Sequence, residues 1–340
     1  MSEHFRYCLN NLSNGNNISF DDMSSLMNEL MTGDLTPAQI ASILISIKIK
    51  GESIDEITGA ASVMREHSNK VKIEDTKHLV DTCGTGGDSL QTFNVSTISA
   101  IIAAAAGVKV AKHGGRSVSS KCGSADVLEA LGVNVNLNNV EIAAIVNKIG
   151  IGFMFAPNYH PAMKYVAPIR KDLGVRTIFN LLGPLTNPAS AKQQILGVYH
   201  KNLTIVLARV LKKLGSTHVM VVSGADGMDE ISITGKTFVA ELKNNAVKEY
   251  VINPGDFGLP LGKLADIKVD DVAHSKTMML DILNGKSSTA RNISLLNAGA
   301  AIYVSGLVDD IEAGIEKANK VIDSGEALMK LKELVTVSNE

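Results

Sequence analysis

Two glycine-rich polar segments, Asp81-Thr-Cys-Gly-Thr-Gly-Gly-Asp88 and Lys112-His-Gly-Gly-Arg-Ser-Val-Ser-Ser120, carry the residue types needed to hold a phosphorylated ligand. Glycines let backbone N–H groups approach an anion closely, and a helix N-terminus beside them adds a favourable dipole. Lys112 and Arg116 bring positive charge, and Ser117, Ser119 and Ser120 bring hydroxyls. Such a cluster can neutralise and orient several phosphate oxygens at once. The apolar stretch Ile98 to Gly107 separates the two segments. They therefore predict opposite ends of one strand–helix–strand unit, cradling a ligand with more than one phosphate.

The spacing matches neither of two common phosphate loops. There is no Gly-x-x-x-x-Gly-Lys-Ser/Thr, and no Gly-x-Gly-x-x-Gly with a suitably placed acid, so ATPase and NAD-dependent chemistry are disfavoured. A third element is the acid pair Asp229-Glu230, following a predicted strand and the loop Gly224 to Met228. Adjacent carboxylates at a strand end can hold Mg²⁺, a hard cation that bridges to substrate phosphates. Each of these signals alone also fits ordinary structure: a tight turn, a charged loop, a solvated acid pair. No His-Glu-x-x-His and no Cys/His ligand spacing is present, so zinc is not expected. Asp126, Asp226, Asp270 and Asp271 read as caps or surface acids. Cys83 and Cys122 read as small buried residues beneath tight loops.

The elements that must position these groups fall into two grammars. Met23, Leu26, Met27, Leu30 and Met31 repeat at helical spacing, and Thr36-Pro37-Ala38-Gln39 and Ser53-Ile-Asp-Glu56 are capping-box signatures. The first 70 or so residues thus predict a helical unit. From Leu79 onward strands and helices alternate. Leu79–Thr82, Val108–Lys112, Ile151–Ala156, Gln194–Tyr199 and His218–Ser223 predict strands. Asn94–Ala106, Ser124–Leu131, Val140–Ile149, His160–Leu173 and Leu203–Leu214 predict helices. Phe238–Ile252 predicts an antiparallel hairpin around Lys243-Asn244-Asn245, and helices resume from Met278. Such alternation predicts an α/β domain with a mostly parallel central sheet and flanking helices.

Composition narrows the class further. The chain has 340 residues, 45% hydrophobic and 20% charged, with a formal net charge of −2. That length predicts two domains, and the near-neutral charge with 4% aromatics argues against a nucleic-acid partner. Three cysteines without a Cys-x-x-Cys pair predict a reducing compartment. No stretch predicts a secretory signal or a membrane span, so the expectation is a cytoplasmic protein.

Several motifs occur in order: Gly84-Thr-Gly-Gly-Asp88, Asn94-Val-Ser-Thr97, Lys112 to Ser120, Gly123-Ser-Ala-Asp-Val-Leu-Glu-Ala-Leu-Gly132, His160-Pro-Ala-Met-Lys164 and Arg176-Thr-Ile-Phe-Asn-Leu-Leu-Gly-Pro-Leu-Thr-Asn-Pro188. Together they closely resemble the anthranilate phosphoribosyltransferases over essentially the whole chain. The resemblance implies a helical domain over 1–72, joined by helices near 165–190, and an α/β phosphoribosyl-binding domain over 73–340. It also implies a homodimer formed through the helical part. The reaction implied is transfer of phosphoribosyl from phosphoribosyl pyrophosphate to the amine of anthranilate, a step of tryptophan biosynthesis, with Mg²⁺. By the same similarity Gly84, Gly87, Asp88, Thr92, Asn94, Val95, Ser96, Thr97 and Ser124 would line the phosphoribosyl pyrophosphate site. Lys112, His113, Gly114, Gly115, Arg116, Ser117, Val118, Ser119 and Ser120 would join them. Ser96, Asp229 and Glu230 would ligate Mg²⁺, Arg170 would pair with the anthranilate carboxylate, and Gly84 would lie where the two substrates meet. One position departs from the family: Gly115 stands where its second loop usually has an Asn that contacts anthranilate.

The chemistry implied needs no activated Ser or Cys, because an aromatic amine is already a nucleophile. Lys112, Arg116 and the loop N–H groups would stabilise the leaving pyrophosphate. His113 and His160 are expected to serve structure or orientation. Two other enzymes remain compatible with the residues alone: a phosphoribosyltransferase for another aromatic amine, and a pyrimidine-nucleoside phosphorylase. A non-enzymatic nucleic-acid-binding relative of the fold would show a basic groove and eroded loops, and this sequence has neither.

Overall fold

Helix α1 (Glu3–Ser13) is followed by α2 (Phe20–Thr32), α3 (Pro37–Lys50) and α4 (Ile54–Glu66) in a computed structural model that describes residues 2–88, 90–116 and 122–340. Met23, Leu26, Met27, Leu30 and Met31 of α2 are all buried, as their spacing predicts. Both predicted capping boxes form. Thr36 Oγ1 accepts from the Gln39 amide at 3.3 Å while Gln39 Oε1 accepts from the Thr36 amide at 2.8 Å. Ser53 and Glu56 repeat the arrangement at the start of α4. Each such cap stabilises its helix by about 1 kcal/mol. The fully buried Glu56 carboxylate also accepts from the Ile18 amide at 3.0 Å and pairs with Lys50 at 2.8 Å, so one acid ties three segments together.

The second part of the chain runs β1 (Leu79–Gly84), α5 (Val95–Ala105), β2 (Lys109–Gly114), α6 (Ser124–Ala130), α7 (Asn139–Ile149), β3 (Ile151–Phe155), α8 (Ala156–Tyr159), α9 (Ala167–Leu173) and α10 (Phe179–Leu182). It continues through β4 (Gln193–Gly197), α11 (Asn202–Lys213), β5 (His218–Gly224), β6 (Thr237–Lys243), β7 (Ala246–Ile252) and four helices: α12 (Val272–Leu283), α13 (Thr289–Val304), α14 (Ile311–Asp323) and α15 (Glu326–Ser338). Seven strands form one sheet in the order β3-β2-β1-β4-β5-β6-β7. The first five are mutually parallel, and β6 and β7 close one edge as an antiparallel hairpin. Asn244 and Asn245 both have positive φ, the conformation a two-residue hairpin turn demands.

Two sequence expectations need correction. The single helix expected over 160–173 is broken into a 3-10 turn, Pro161–Tyr165, and α9. Pro161 and Pro168 lack the amides a continuous helix requires, and each disfavours helical geometry in the residue before it. The C-terminal helices begin at Val272 rather than Met278, because Asp271 caps α12 by accepting from the His274 amide at 2.7 Å.

Strand alternation separates two cores across the sheet. Val80, Val110, Ile195, Met220 and Val222 face α5, α6 and α13 to α15. Leu196, Val219, Val221, Ala240 and Leu242 pack with α1 to α4, α11, Val166, Ile169, Phe179 and Leu182. The helical bundle thus shares its core with one sheet face, and segments near residues 166–185 complete it.

Candidate active site

The strand order reverses at β1. The chain passes from β1 to β2 and β3 on one side, then returns to place β4 on the other. In an open parallel sheet the crevice beyond the strand ends at such a reversal is where ligands bind. Gly84 ends β1, Gly114 ends β2, Gly197 ends β4 and Gly224 ends β5, so four strand ends open toward one place. The two predicted loops and the acid pair all leave from these ends.

Backbone proximity fixes the glycines. A Cβ on Gly84 would collide with the Asp229 carboxylate, and one on Gly197 with the Asp229 carbonyl. Asp229 Oδ2 accepts from the Gly86 amide at 2.8 Å, and Glu230 Oε1 accepts from the Ser96 amide at 3.0 Å. The acid pair is locked on both sides. Upstream, Asp226 accepts from the Ser232 and Thr234 hydroxyls at 2.7 and 2.6 Å. Downstream, the Asn297 amide side chain accepts from the Ile231 amide and donates to its carbonyl, each at 2.9 Å. Asp271 caps α12 as expected, whereas Asp226 braces the loop instead of capping a helix or lying on the surface.

Burial pushes the Asp229 carboxyl up to about 7, and the neighbouring Asp88 adds to the shift. Burial and then Asp229 push Glu230 well above the usual carboxylate range. Asp88 itself is raised, mainly by burial. Crowded, desolvated carboxylates with the Ser96 hydroxyl beside them make an all-oxygen donor set, the chemistry of a hard divalent cation. Lys112 is buried at the same place. Its ammonium donates to Ser96 Oγ at 3.1 Å and to the Thr82 carbonyl. Burial lowers its pKa, while Asp81, Cys83, Glu230 and Asp229 oppose that shift.

On the far side of β2 the His113 and His160 rings meet edge to face at 5.1 Å. Both Nε2 atoms are buried without a hydrogen-bond partner among the described residues. Burial, then His160, lowers the His113 pKa to about 3, and burial lowers that of His160 to about 4. Both rings are therefore neutral near pH 7, which fits orientation rather than proton storage. The unfolded chain would protonate them near 6.5, so their contribution to stability is full above that value and declines as pH falls toward 4 and 3. We expect the urea midpoint to drop across that window, each histidine contributing a slope of about 1.4 kcal/mol per pH unit. A His160→Gln variant with an unchanged pH slope would refute this. The pH–rate profile should show no inflection from either ring between pH 5 and 8.

The remaining predicted residues divide. Val95 is buried at the start of α5, and the buried Thr97 hydroxyl has no partner among the described residues. Thr92 bridges to Lys268, and Ser124 opens α6 beneath Gly114. The Asn94 side chain is occupied: it donates to the Cys122 carbonyl at 3.1 Å and accepts from Ser275 Oγ at 2.8 Å, joining α5, α12 and the second loop. Arg116 departs from its expected direction. Its guanidinium forks onto Glu129 at 2.6 and 2.7 Å and reaches Asp126 at 2.8 Å, because α6 presents both acids on one face three residues apart. Arg170 stacks 5.5 Å from the Phe179 ring centroid and has no carboxylate partner among the described residues. Ser117, Val118, Ser119 and Ser120 lie outside the described residues. A Cβ at Gly115 would meet no described residue within 4 Å.

Sequence reasoning assigned no role to two supports. Arg176 donates to the Gly87 carbonyl and stacks 4.2 Å from the Tyr199 ring centroid, holding the first loop from above. Asp81 accepts from Asn187 Nδ2 at 2.8 Å and from the His113 amide at 3.1 Å, and Asn187 also donates to the Ala111 carbonyl. These buried bonds fix where β2 ends and how the second loop leaves it.

The helical bundle domain of a glycosyl transferase family matches residues 6–68, and the a/b domain of that family matches residues 76–328. The anthranilate phosphoribosyltransferase of Chromobacterium violaceum is 54% identical over 332 residues, covering 98% of this chain and 97% of its own. The chain belongs to the anthranilate phosphoribosyltransferase family. The Methylobacillus flagellatus anthranilate phosphoribosyltransferase is 53% identical and covers 99% of both chains. The crystal structure of the Thermus thermophilus anthranilate phosphoribosyltransferase superposes with a TM-score of 0.93 at 36% identity, covering 98% of this chain and 99% of that one. The Saccharomyces cerevisiae anthranilate phosphoribosyltransferase in complex with PRPP and Mg gives 0.90 at 28% identity, covering 99% of both chains. Membership of the anthranilate phosphoribosyltransferase family makes the chain a pentosyltransferase by class. The phosphorylase and other-amine readings gain no support from these relatives.

Proposed function

We propose that this chain transfers the 5-phosphoribosyl group of phosphoribosyl pyrophosphate to the amine of anthranilate, giving N-(5-phosphoribosyl)anthranilate and pyrophosphate in tryptophan biosynthesis. The observation that carries the reading is the Asp229-Glu230 pair held against the Gly84–Gly87 backbone and Ser96 at the strand reversal. Asp229, Glu230 and Ser96 would hold Mg²⁺, which when bound supplies positive charge to the diphosphate. The Gly84, Gly87 and Asp88 loop, Asn94 to Thr97 at the α5 start, and the Lys112–Ser120 loop would hold the sugar phosphates. As the C1–oxygen bond breaks, Lys112 and the loop amides stabilise the departing charge. The new C1–nitrogen bond forms from the amine lone pair, and Arg170 would hold the substrate carboxylate so that this amine faces C1. Arg116 would have to leave Glu129 to reach a phosphate.

Mixing the protein with phosphoribosyl pyrophosphate, Mg²⁺ and anthranilate should quench anthranilate fluorescence; the chain contains no Trp to add background. No quenching with phosphoribosyl pyrophosphate still bound would overturn the amine assignment. Arg176→Ala should loosen the first loop and raise the KM for phosphoribosyl pyrophosphate about 10- to 100-fold, the scale of one charge-assisted hydrogen bond, with kcat less affected. An equal fall in kcat and kcat/KM would instead make Arg176 part of the chemistry.

The reading includes a helical domain over 1–72 completed by helices near 165–190, an α/β domain over 73–340, a cytoplasmic location and a homodimer through the helical part. The core shared by α1 to α4 with Val166, Ile169 and Phe179 supports the division. Tyr7 on α1 is half-exposed and Ile49 on α3 is 80% exposed, apolar surface suited to a partner copy. Light scattering should give twice the chain mass, and Tyr7→Asp/Ile49→Asp should halve it; a monomeric parent would refute the dimer. Among the described residues no helix is long and apolar enough to cross a membrane.

A further inference from the structure

Far from the strand ends, in the N-terminal bundle, three side chains of different chemistry converge. His4 and Cys8 lie one turn apart on the same face of α1, and Asp22 projects from the first turn of α2. One ligand atom from each lies within 4.8 Å of the others. His4 Nε2 is 3.5 Å from Cys8 Sγ and 3.5 Å from Asp22 Oδ1. A tetrahedral zinc ion, with bonds of about 2.0 Å to nitrogen and 2.3 Å to sulfur, places those two ligand atoms about 3.5 Å apart. The His4–Cys8 separation matches that of two ligands on one ion.

The opposite ring nitrogen is also arranged as metal sites arrange it. His4 Nδ1 lies 3.2 Å from Glu29 Oε1, and Ser2 Oγ donates to Glu29 Oε2 at 3.1 Å. A ligating imidazole commonly donates its other N–H to a carboxylate, which fixes the tautomer and turns the free nitrogen lone pair toward the metal. With Nδ1–H given to Glu29, Nε2 presents a lone pair toward Asp22, itself an acceptor. A metal ion among the three side chains would satisfy both acceptors, as would a proton on Nε2. Cys8 is fully buried while His4, Asp22 and Glu29 are partly open, so solvent can reach the fourth position.

We propose that His4, Cys8 and Asp22 form a site for a borderline-soft divalent cation, Zn²⁺ in particular, with Glu29 orienting His4. A sulfur, nitrogen and oxygen set selects this class over Mg²⁺, which takes oxygen ligands. The site is separate from the acid pair at the strand ends and does not depend on what the enzyme turns over. The His4-x-x-x-Cys8 spacing is in the sequence, but the third ligand, Asp22, comes from a second helix.

Full-length protein stripped with a chelator and kept in excess Mg²⁺, which occupies the oxygen-ligand site, is titrated with Co²⁺ and then Zn²⁺. The expected result is one Co²⁺ per chain, with a thiolate-to-cobalt charge-transfer band in the near ultraviolet that Zn²⁺ abolishes. Cys8→Ser should remove the band, and Glu29→Gln should weaken binding about 10- to 100-fold while keeping it. Should Cys8→Ser fail to fold, as judged by circular dichroism, Glu29→Gln and the Zn²⁺ displacement decide the matter. Absence of the band in the parent protein overturns the site and makes His4 an imidazolium bridging Asp22 and Glu29. A band that survives Cys8→Ser, or an affinity unmoved by Glu29→Gln, overturns it as well.

Discussion

Asp229→Asn/Glu230→Gln should lower turnover of anthranilate at saturating phosphoribosyl pyrophosphate and Mg²⁺ by at least about 100- to 1000-fold, the loss typical when one preorganised electrostatic element is removed. The same variant should unfold at a higher temperature than the parent when Mg²⁺ is absent. Burial raises both carboxyl groups, with Asp88 repelling Asp229 and Asp229 repelling Glu230, so holding them in the folded chain is unfavourable at neutral pH. Neutral amides of the same shape relieve that penalty. Lost activity alone has a trivial explanation in unfolding, and a gain in stability removes it. A progress curve followed by fluorescence, and a thermal melt with and without Mg²⁺, suffice. Near-parental turnover would show that the pair does not hold the cation.

The second large effect is expected from a single methyl group. In Gly197→Ala the new Cβ would fall on the Asp229 carbonyl, which is backbone and cannot rotate away. The loop bearing the acid pair would have to lift off β4, while the Asp226 and Asn297 hydrogen bonds hold its two flanks in place. Overpacking of this kind costs about 1–3 kcal/mol. Activity should fall at least about 100-fold, as expected when reacting groups shift by about 1 Å. Gly115→Asn is the matched control, since no described residue stands within 4 Å of its Cβ. It should leave the urea midpoint unchanged and, if the added amide reaches the amine substrate, lower the KM for anthranilate. Equal stability of Gly197→Ala and the parent would contradict the geometry.

Periodicity and capping made most of the fold legible before any coordinate. The five parallel strands start within one residue of their expected positions, and the hairpin turns at Asn244-Asn245, because local chemistry dictates those features. Prolines 161 and 168 were equally visible, and their power to break a helix outweighed the apolar periodicity around them. At the site, glycines and acids were legible because each type has few uses at a strand end. Their supports were not. Arg176 reaches Gly87 across 89 positions, and Asn187 reaches Asp81 across 106, and no spacing rule covers such distances. The direction of Arg116 was readable in principle, since Asp126 and Glu129 occupy one face of the helix that follows it. Phosphate-type loops invite every cation to be assigned to the ligand, and that expectation obscured the acids nearby.

The bond from the Gly86 amide to Asp229 joins residues 143 positions apart. Nothing local brings them together: β1 must pair with β4 and β4 with β5 before the two can meet. A nascent or partly folded chain therefore holds either the anion-binding loop or the acid pair in place, never both, and cannot yet take up cation and diphosphate together. Long-range pairing of this kind is also slow to form. Under the proposed reaction, joint uptake of the two ligands would report on completed sheet assembly, and by mass action it would shield finished molecules from unfolding while leaving unfinished ones exposed to proteolysis.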